Sequence, residues 1–338
     1  MGRAAVIGAG SWGTALAKVL GDKGHSVRIW SYETAVADQI RHERENRDYL
    51  PGVRLPPTVE VFLDHEETLD GAEVIISVVP SHALRDVIAA AAPHVPDDAI
   101  VLSATKGIEV GTLERPSEIL AELLPKHRPP AVISGPTFAR EVGEGDPTAL
   151  VVASSDRAVA RGGQHFLVAE RFRVYTNEDI LGVELAGALK NVIALAAGIA
   201  AGLGYRSNSR AALITRGLAE MTRLGLAMGA RASTFAGLAG LGDLVLTCSS
   251  ELSRNRTVGV RLGRGESLDE ILASMKMVAE GVKTTKAARQ LAQAHGVEMP
   301  IVDEVHHILF EGKPPERATA DLMLREPKPE LWGGSDAT

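Results

Sequence analysis

Cysteine is almost missing from this chain: Cys248 stands alone among 338 residues. No disulfide can close within it and no multi-cysteine zinc site can be built. Positive charge is also in deficit, with 36 Lys and Arg against 43 Asp and Glu and a formal net charge of -7. That balance argues against nucleic acid as the principal partner. It leaves room for an anionic small ligand, because a few lysines and arginines can reverse the field inside one cleft. The N-terminal residues enter a strand pattern directly and lack the apolar core of a signal peptide. No uninterrupted apolar run reaches membrane-spanning length; the nearest, 185–203, is broken by Lys190, Asn191 and small residues and reads as a buried helix. The expectation is a cytoplasmic protein with no membrane span and no metal. Solenoid repeats and low-complexity tracts are absent too, and the tail 327–338, with its Pro, Gly and Ser, reads as frayed.

What is present has two different textures. At 45% hydrophobic and 23% charged residues, the composition is ordinary for a globular protein. The length suits two domains. In the first half, apolar runs at 4–7, 26–30, 74–79, 100–104, 131–134, 150–153 and 173–175 alternate with amphipathic stretches such as 83–91 and 116–124. Continuous apolar strands separated by helices predict a mostly parallel, doubly wound sheet covered on both faces. After about Asp179 the strand signal disappears. Helical patterns follow at 181–203, 209–228, 255–262, 268–275, 283–295, 301–310 and 316–324, with Gly-rich links such as 237–243 between them. The reading is an α/β Rossmann-type domain over 1–180 and an all-α domain over 181–338.

Gly8-Ala-Gly10-Ser-Trp-Gly13 follows the first strand and opens the helical run 14–20. A lone G-x-G-x-x-G is a weak signal, but this one has a strand before it, a helix after it and a second strand within one βαβ unit. Gly8, Gly10 and Gly13 then allow a tight turn that sets a pyrophosphate on the helix N-terminus. The end of the second strand reads Trp30-Ser31-Tyr32-Glu33. Ser31 takes the place where an NAD enzyme shows the acid that holds the ribose hydroxyls, and no arginine follows to grip a 2′-phosphate. Glu33 can substitute only if the loop curls back.

The residue that says most is Lys190. Three and four positions away on its helix lie Ala186, Gly187, Ile193 and Ala194, so its neighbours are mostly small. Such a face admits a ligand close to the backbone, and partial burial would lower the ammonium pKa toward that of an acid/base catalyst. The alternative is a lysine whose stem covers the helix while its charge stays wet. Three other segments set polar groups among glycines or apolar residues. Lys106 follows a strand within Ser103-Ala-Thr-Lys106-Gly107, at the carboxyl end where open α/β sheets place ligands. Ser134-Gly135-Pro136-Thr137-Phe138-Ala139 also follows a strand, and Ser253-Arg254-Asn255-Arg256 precedes a helix. A helix start with two guanidiniums can take a phosphate.

Taken in order, these motifs resemble one family. The chain is similar to bacterial NAD(P)-dependent glycerol-3-phosphate dehydrogenase from its first strand to about Met299. The shared runs include Gly8 to Ala17, Asn46-Arg-Asp-Tyr-Leu-Pro-Gly52, Val79-Pro-Ser-His82, Ser103 to Glu109 and Ser134 to Glu141. They continue through Glu184 to Asn191, Ala211 to Gly217, Gly237 to Asp243, Leu252-Ser-Arg-Asn255 and Val278-Ala-Glu-Gly281. The resemblance implies a Rossmann-type domain, a helical domain and an active site in the cleft between them. It implies reversible hydride transfer between dihydroxyacetone phosphate and sn-glycerol 3-phosphate, feeding phospholipid synthesis, in a homodimer. Carried over residue by residue, Lys190 is the general acid/base with Lys106 beside it. Gly135, Thr137, Asn191, Asp243, Ser253, Arg254 and Asn255 join Lys106 at the substrate. Ser11, Trp12, Tyr32, Tyr49, Ala139, Val278 and Glu280 meet the cofactor with the three glycines, and Lys106 and Arg254 reach both ligands.

The chain departs from the family in two places. Relatives often carry Gly-Asp-Asn after the catalytic helix, where this chain has Arg206-Ser207-Asn208. They often have Arg or His after the second strand, where this chain has Tyr32, which can stack on adenine but cannot pair with a 2′-phosphate as a cation does. Use of both NADH and NADPH is therefore expected. The rival readings are a related β-hydroxyacid or sugar-acid dehydrogenase and a non-catalytic NAD-sensing regulator. The phosphate-binding run 253–255 tells against the first, and retention of Lys190, Lys106 and Asp243 against the second.

Overall fold

The first strand shows how the N-terminal half is covered. In β1 (Arg3–Ile7), the residues Ala4, Ala5, Val6 and Ile7 are all 0% exposed, as a strand with helices on both faces must be. Alternate side chains go to opposite faces. Ala4 and Val6 pack with Leu16 and Leu20 of the Ser11–Asp22 helix, whereas Ala5 and Ile7 pack with Leu84, Ile88 and Ile119 on the other side. This computed structural model describes residues 1–327 and 330. The tail read above as frayed therefore lies, but for Pro327 and Glu330, outside the described residues.

Nine further strands follow: β2 (Ser26–Trp30), β3 (Glu45–Asn46), β4 (Leu50–Arg54), β5 (Val59–Phe62), β6 (Val74–Ser77), β7 (Ile100–Ser103), β8 (Ala131–Ser134), β9 (Thr148–Ala153) and β10 (Phe172–Asn177). Eight form one sheet in the order β10-β9-β8-β7-β6-β1-β2-β5, while β3 and β4 make a separate antiparallel hairpin. Pairing in the large sheet is parallel except between β8 and β9, where Val132 faces Ala153. In register, Ile7 stands beside both Trp30 and Ser77. From β1 the chain winds outward to β2 and β5, then returns to lay β6 on the opposite flank of β1. The connections leaving β1 and β6 diverge there, and a doubly wound sheet opens its ligand crevice at such a point. The sequence pattern shows seven of these strands and misses β5 and the hairpin, whose Pro51-Gly52 and charged residues mask any alternation.

Beyond β10 every remaining element among the described residues is helical. The Ile180–Gly202 helix runs through the middle of this half. By length and composition alone it is apolar enough to cross a membrane, as is the stretch Ala232–Ser249, although Glu184, Lys190 and Asn191 interrupt its apolar run. The first of them is a core helix, 89% buried within the protein over its most apolar window. It meets the Arg254–Gly263 helix backbone to backbone. A Cβ on Gly198 would fall 2.2 Å from the Arg256 carbonyl oxygen, and one on Gly259 would fall 2.2 Å from that of Leu195. This contact fixes the start of the second helix against the middle of the first. The Gly-rich run 237–243, read as a link, is instead a wide helical turn (Leu238–Gly242) leading into the Asp243–Ser249 helix. Its Gly240 lies against the backbone of Phe235, so glycine there serves close packing and not a break.

Candidate active site

The glycine loop lies at the crevice between β1 and β6. Gly8 has φ +120°, and a Cβ there would press on Val78 of the strap after β6. Gly10, by contrast, faces open space and begins the Ser11–Asp22 helix without a capping side chain or an acidic residue in its first turn. The first N–H groups of a helix have no partners of their own, so this start suits an anion. Asn46, fully buried, fastens the hairpin to the loop: its amide donates to the Ala9 carbonyl and to the Thr14 hydroxyl, both at 2.8 Å, while its oxygen accepts from the Tyr49 N–H. Trp12 lines the cleft, and its buried indole N–H finds no acceptor among the described residues. An open glycine edge, an uncapped helix start and an orphaned donor fit a dinucleotide.

After β2 the chain does curl back. The Ser31 hydroxyl donates to the Glu33 carbonyl at 2.9 Å, Tyr32 turns outward and is 85% exposed, and the Glu33 carboxylate accepts from the Tyr49 hydroxyl. That bond and burial raise the Tyr49 pKa to about 12.

At the inner end of the same cleft two lysines share one carboxylate. Lys190, 5% exposed, donates to Asp243 Oδ1 at 2.9 Å and to Thr247 Oγ1 at 2.7 Å. Lys106 donates to Asp243 Oδ2 at 2.7 Å and to the Gly135 carbonyl at 2.9 Å, with Thr137 Oγ1 at 3.5 Å. Burial lowers the Lys190 pKa to about 8, against the pull of Asp243 and with the push of Lys106. Burial alone would raise Asp243, but the two ammonium groups prevail and hold its carboxyl below the usual value. The Thr247 hydroxyl donates its own hydrogen bond to the Asp243 backbone carbonyl at 2.6 Å, so its oxygen is free to accept from Lys190. An ammonium has three N–H donors; Lys190 uses two and keeps one. The neighbouring Cys248 thiol is pushed up to about 12 by burial and stays protonated.

Above this floor begins the Arg254–Gly263 helix, capped by Ser253 Oγ, which accepts from the Arg256 N–H. Asn255 accepts from the Gly281 N–H and donates to Asn191 at 2.9 Å, while Asn191 donates to the Lys106 carbonyl at 3.3 Å. These amides tie three helices to the strand end that carries Lys106. Arg254 has no hydrogen-bond or ion-pair partner among the described residues. Desolvation by the cleft walls lowers its pKa, opposed by the charge of Glu280. Glu280 itself is engaged across the cleft, accepting from the Ser81 N–H at 3.0 Å and from its hydroxyl at 2.6 Å.

One cleft of about 940 Å³ therefore collects the residues singled out above, from Gly8, Gly10, Ser11, Trp12, Tyr32, Tyr49 and Ala139 to Lys106, Thr137, Lys190, Asn191, Asp243, Ser253, Arg254, Asn255, Val278 and Glu280. Gly13 and Gly135 are set behind it. Gly13 packs on the Gly8 carbonyl, and Gly135, at φ +143°, packs on Leu150 and gives its carbonyl to Lys106. Sequence reasoning missed Thr247, Ser81, Asp48 and Lys276. The spacing of Asp243 and Thr247, four apart on a helix, is the one signal that could have found Thr247. Among the described residues no group of three His, Cys, Asp or Glu is placed to hold a metal ion.

Residues 3–160 match the family described as NAD-dependent glycerol-3-phosphate dehydrogenase N-terminus, and residues 179–320 its C-terminus. A glycerol-3-phosphate dehydrogenase (NAD(P)+) of Geobacter sp. strain M21 is 54% identical over 328 residues, covering 96% of this chain and 98% of the relative. One from Koribacter versatilis is 55% identical, covering 98% and 100%. The crystal structure of a glycerol-3-phosphate dehydrogenase from Coxiella burnetii superposes with a TM-score of 0.92 at 44% identity, covering 96% of this chain and 99% of that one.

Proposed function

The chain belongs to the NAD-dependent glycerol-3-phosphate dehydrogenase family, and we propose that Lys190 and Lys106 perform the proton chemistry of that family's reaction here. The enzyme interconverts dihydroxyacetone phosphate and sn-glycerol 3-phosphate with NAD(P) as the redox partner. When bound, the nicotinamide supplies a hydride in one direction and takes it up in the other.

The chain's own task is to manage the oxygen. Reducing a ketone makes an alkoxide that needs a proton, and the unspent N–H of Lys190 delivers it. The Lys106 ammonium lies on the same carboxylate and stabilises the charge as it forms. Asp243 holds both donors in place, and Thr247 aims Lys190. In the reverse direction Lys190, as the neutral amine, removes the hydroxyl proton. Arg254, unpaired at a helix start, takes the substrate phosphate, with Ser253, Asn255, Asn191, Gly135 and Thr137 shaping the site. The glycine loop, Trp12, Tyr32, Tyr49, Ala139, Val278 and Glu280 hold the dinucleotide. The reading assigns dinucleotide binding to 1–180 and substrate and catalysis to 181–338. By family analogy it includes a homodimer in the cytoplasm, with glycerol 3-phosphate going to phospholipid synthesis.

The observation that carries this reading is the pair of ammonium groups on one buried carboxylate, facing the cleft that also holds the glycine loop. Following the nicotinamide absorbance with dihydroxyacetone phosphate as substrate tests it. Oxidation of NADH or NADPH that depends on this phosphate supports it. Oxidation only with unphosphorylated β-keto acids would favour the hydroxyacid dehydrogenase, and binding without turnover the sensor.

A further inference from the structure

The residues after β2 leave the ribose 2′-position without a positive charge. Ser31 is bonded to its own turn, Tyr32 faces solvent and Glu33 is held by Tyr49. A cation approaches this end of the cleft from the other half of the molecule. Residues 274–279, between the Leu268–Ala273 and Glu280–Ala294 helices, reach over to the sheet domain. Met277 Sδ lies 3.9 Å from the Ser11 hydroxyl at the glycine loop, and Lys276 Nζ lies 3.1 Å from Asp48 Oδ1 on the hairpin. Asp48 precedes Tyr49, whose hydroxyl meets Glu33, so Lys276 stands on the same rim as Tyr32 and Glu33. The other cations lining the cleft stand at other places in it. Lys106 and Lys190 are bound at the floor, Arg254 starts the helix above it, and Arg140 pairs with Glu144.

Lys276 loses little by changing partner. Its side chain is 78% exposed, and exposed ion pairs contribute little to stability. Asp48 keeps the Gln39 amide at 2.8 Å when the lysine leaves. A phosphomonoester carries more charge than a carboxylate and more acceptor oxygens, so it wins the competition for the ammonium. We propose that Lys276 reads the 2′-phosphate of NADP, with Asp48 as its resting partner, so that this preference is set from the helical half and not from the end of β2. The proposal rests on the dinucleotide cleft assigned above.

Calorimetric titration of the substrate-free protein tests it, comparing NADP+ with NAD+ and 2′,5′-ADP with 5′-ADP. Lys276→Met is expected to weaken NADP+ and 2′,5′-ADP by about tenfold, with NAD+ and 5′-ADP moving less than about twofold. Asp48→Asn, which releases the lysine, is expected to tighten NADP+ selectively, and added salt to shrink both effects. Equal losses for NAD+ and NADP+ would make Lys276 a strut of the closed cleft and overturn the proposal. So would unchanged NADP+ binding in Lys276→Met, or Asp48→Asn failing to favour NADP+. Wild-type protein that bound neither dinucleotide would overturn the cleft assignment itself, and this proposal with it.

Discussion

Lys190 titrates at about 8, and the two directions of the reaction need it in opposite states. Carbonyl reduction needs the ammonium and alcohol oxidation needs the amine. The shift from 10.5 to about 8 corresponds to on the order of 3 kcal/mol of preference for the neutral form. Burial is its largest cause, Asp243 opposes it and Lys106 adds to it. One pH unit above the pKa, about one molecule in ten retains the proton, so the reductive rate should fall about tenfold per unit above pH 8. The oxidative rate should fall by the same factor per unit below it. The effect on stability has its own sign. Between pH 8 and 10.5 the unfolded chain binds more protons at this group than the folded one, so its contribution to stability rises with pH across that window. Asp243→Asn removes a counter-charge 2.9 Å away, worth on the order of several kcal/mol, and should move both limbs down by about one pH unit or more. The assay is single-turnover rate against pH in each direction, with deuterated cofactor to confirm that hydride transfer is being observed. Limbs that run parallel in the two directions, or that stay in place in Asp243→Asn, would refute the assignment.

Arg254→Ala should lower kcat/KM for dihydroxyacetone phosphate by about ten- to a hundredfold, the cost of one charge-assisted hydrogen bond, and lower it much less for unphosphorylated dihydroxyacetone. Equal losses on the two substrates would show that the arginine serves the cofactor or the fold. Gly198→Ala places a Cβ 2.2 Å from the Arg256 carbonyl and 2.9 Å from the Gly259 Cα; backbone cannot step aside cheaply, so denaturant unfolding should show a loss of about 1–3 kcal/mol. A fully stable variant would mean that the helices separate at no cost. Glu220 is raised to about 7 by burial although it accepts from the Ile301 and Val302 N–H groups. The folded state therefore holds this proton between pH 4.5 and 7, and stability should decline as pH rises through that range, by on the order of 3 kcal/mol. Urea melts of Glu220→Gln should lack that decline; an unchanged slope would place the titration elsewhere.

Much of this was legible in the chain because the informative residues break a local rule. Lys190 stands among alanines and glycines where a solvated lysine gains nothing, and its side chain is buried instead of reaching water. Gly8 to Gly13 carry their meaning in spacing and context, and the strand ends at Ser103 and Ser134 point Lys106 and Thr137 toward the crevice by sheet geometry alone. What stayed hidden depends on chain segments that meet only in three dimensions. Glu33 bonds Tyr49 across 16 residues, Ser81 bonds Glu280 across 199, and Lys276 reaches Asp48 across 228. The Arg206-Ser207-Asn208 departure stays unassigned, and its three residues are exposed at the start of the Ser207–Ala227 helix. The run 237–243 was misread because glycine signals a break in sequence, whereas here it marks backbone against backbone.

Lys190→Met tests the central claim most directly. It keeps the stem, leaves Lys106 on Asp243 and so strands no buried carboxylate. The measurement is turnover of dihydroxyacetone phosphate alongside the dissociation constant of the dinucleotide. Turnover should fall by about a hundredfold or more with cofactor affinity nearly unchanged, because the proton donor is gone and the glycine loop is not. Turnover close to wild type would contradict the account and return Lys190 to a structural role.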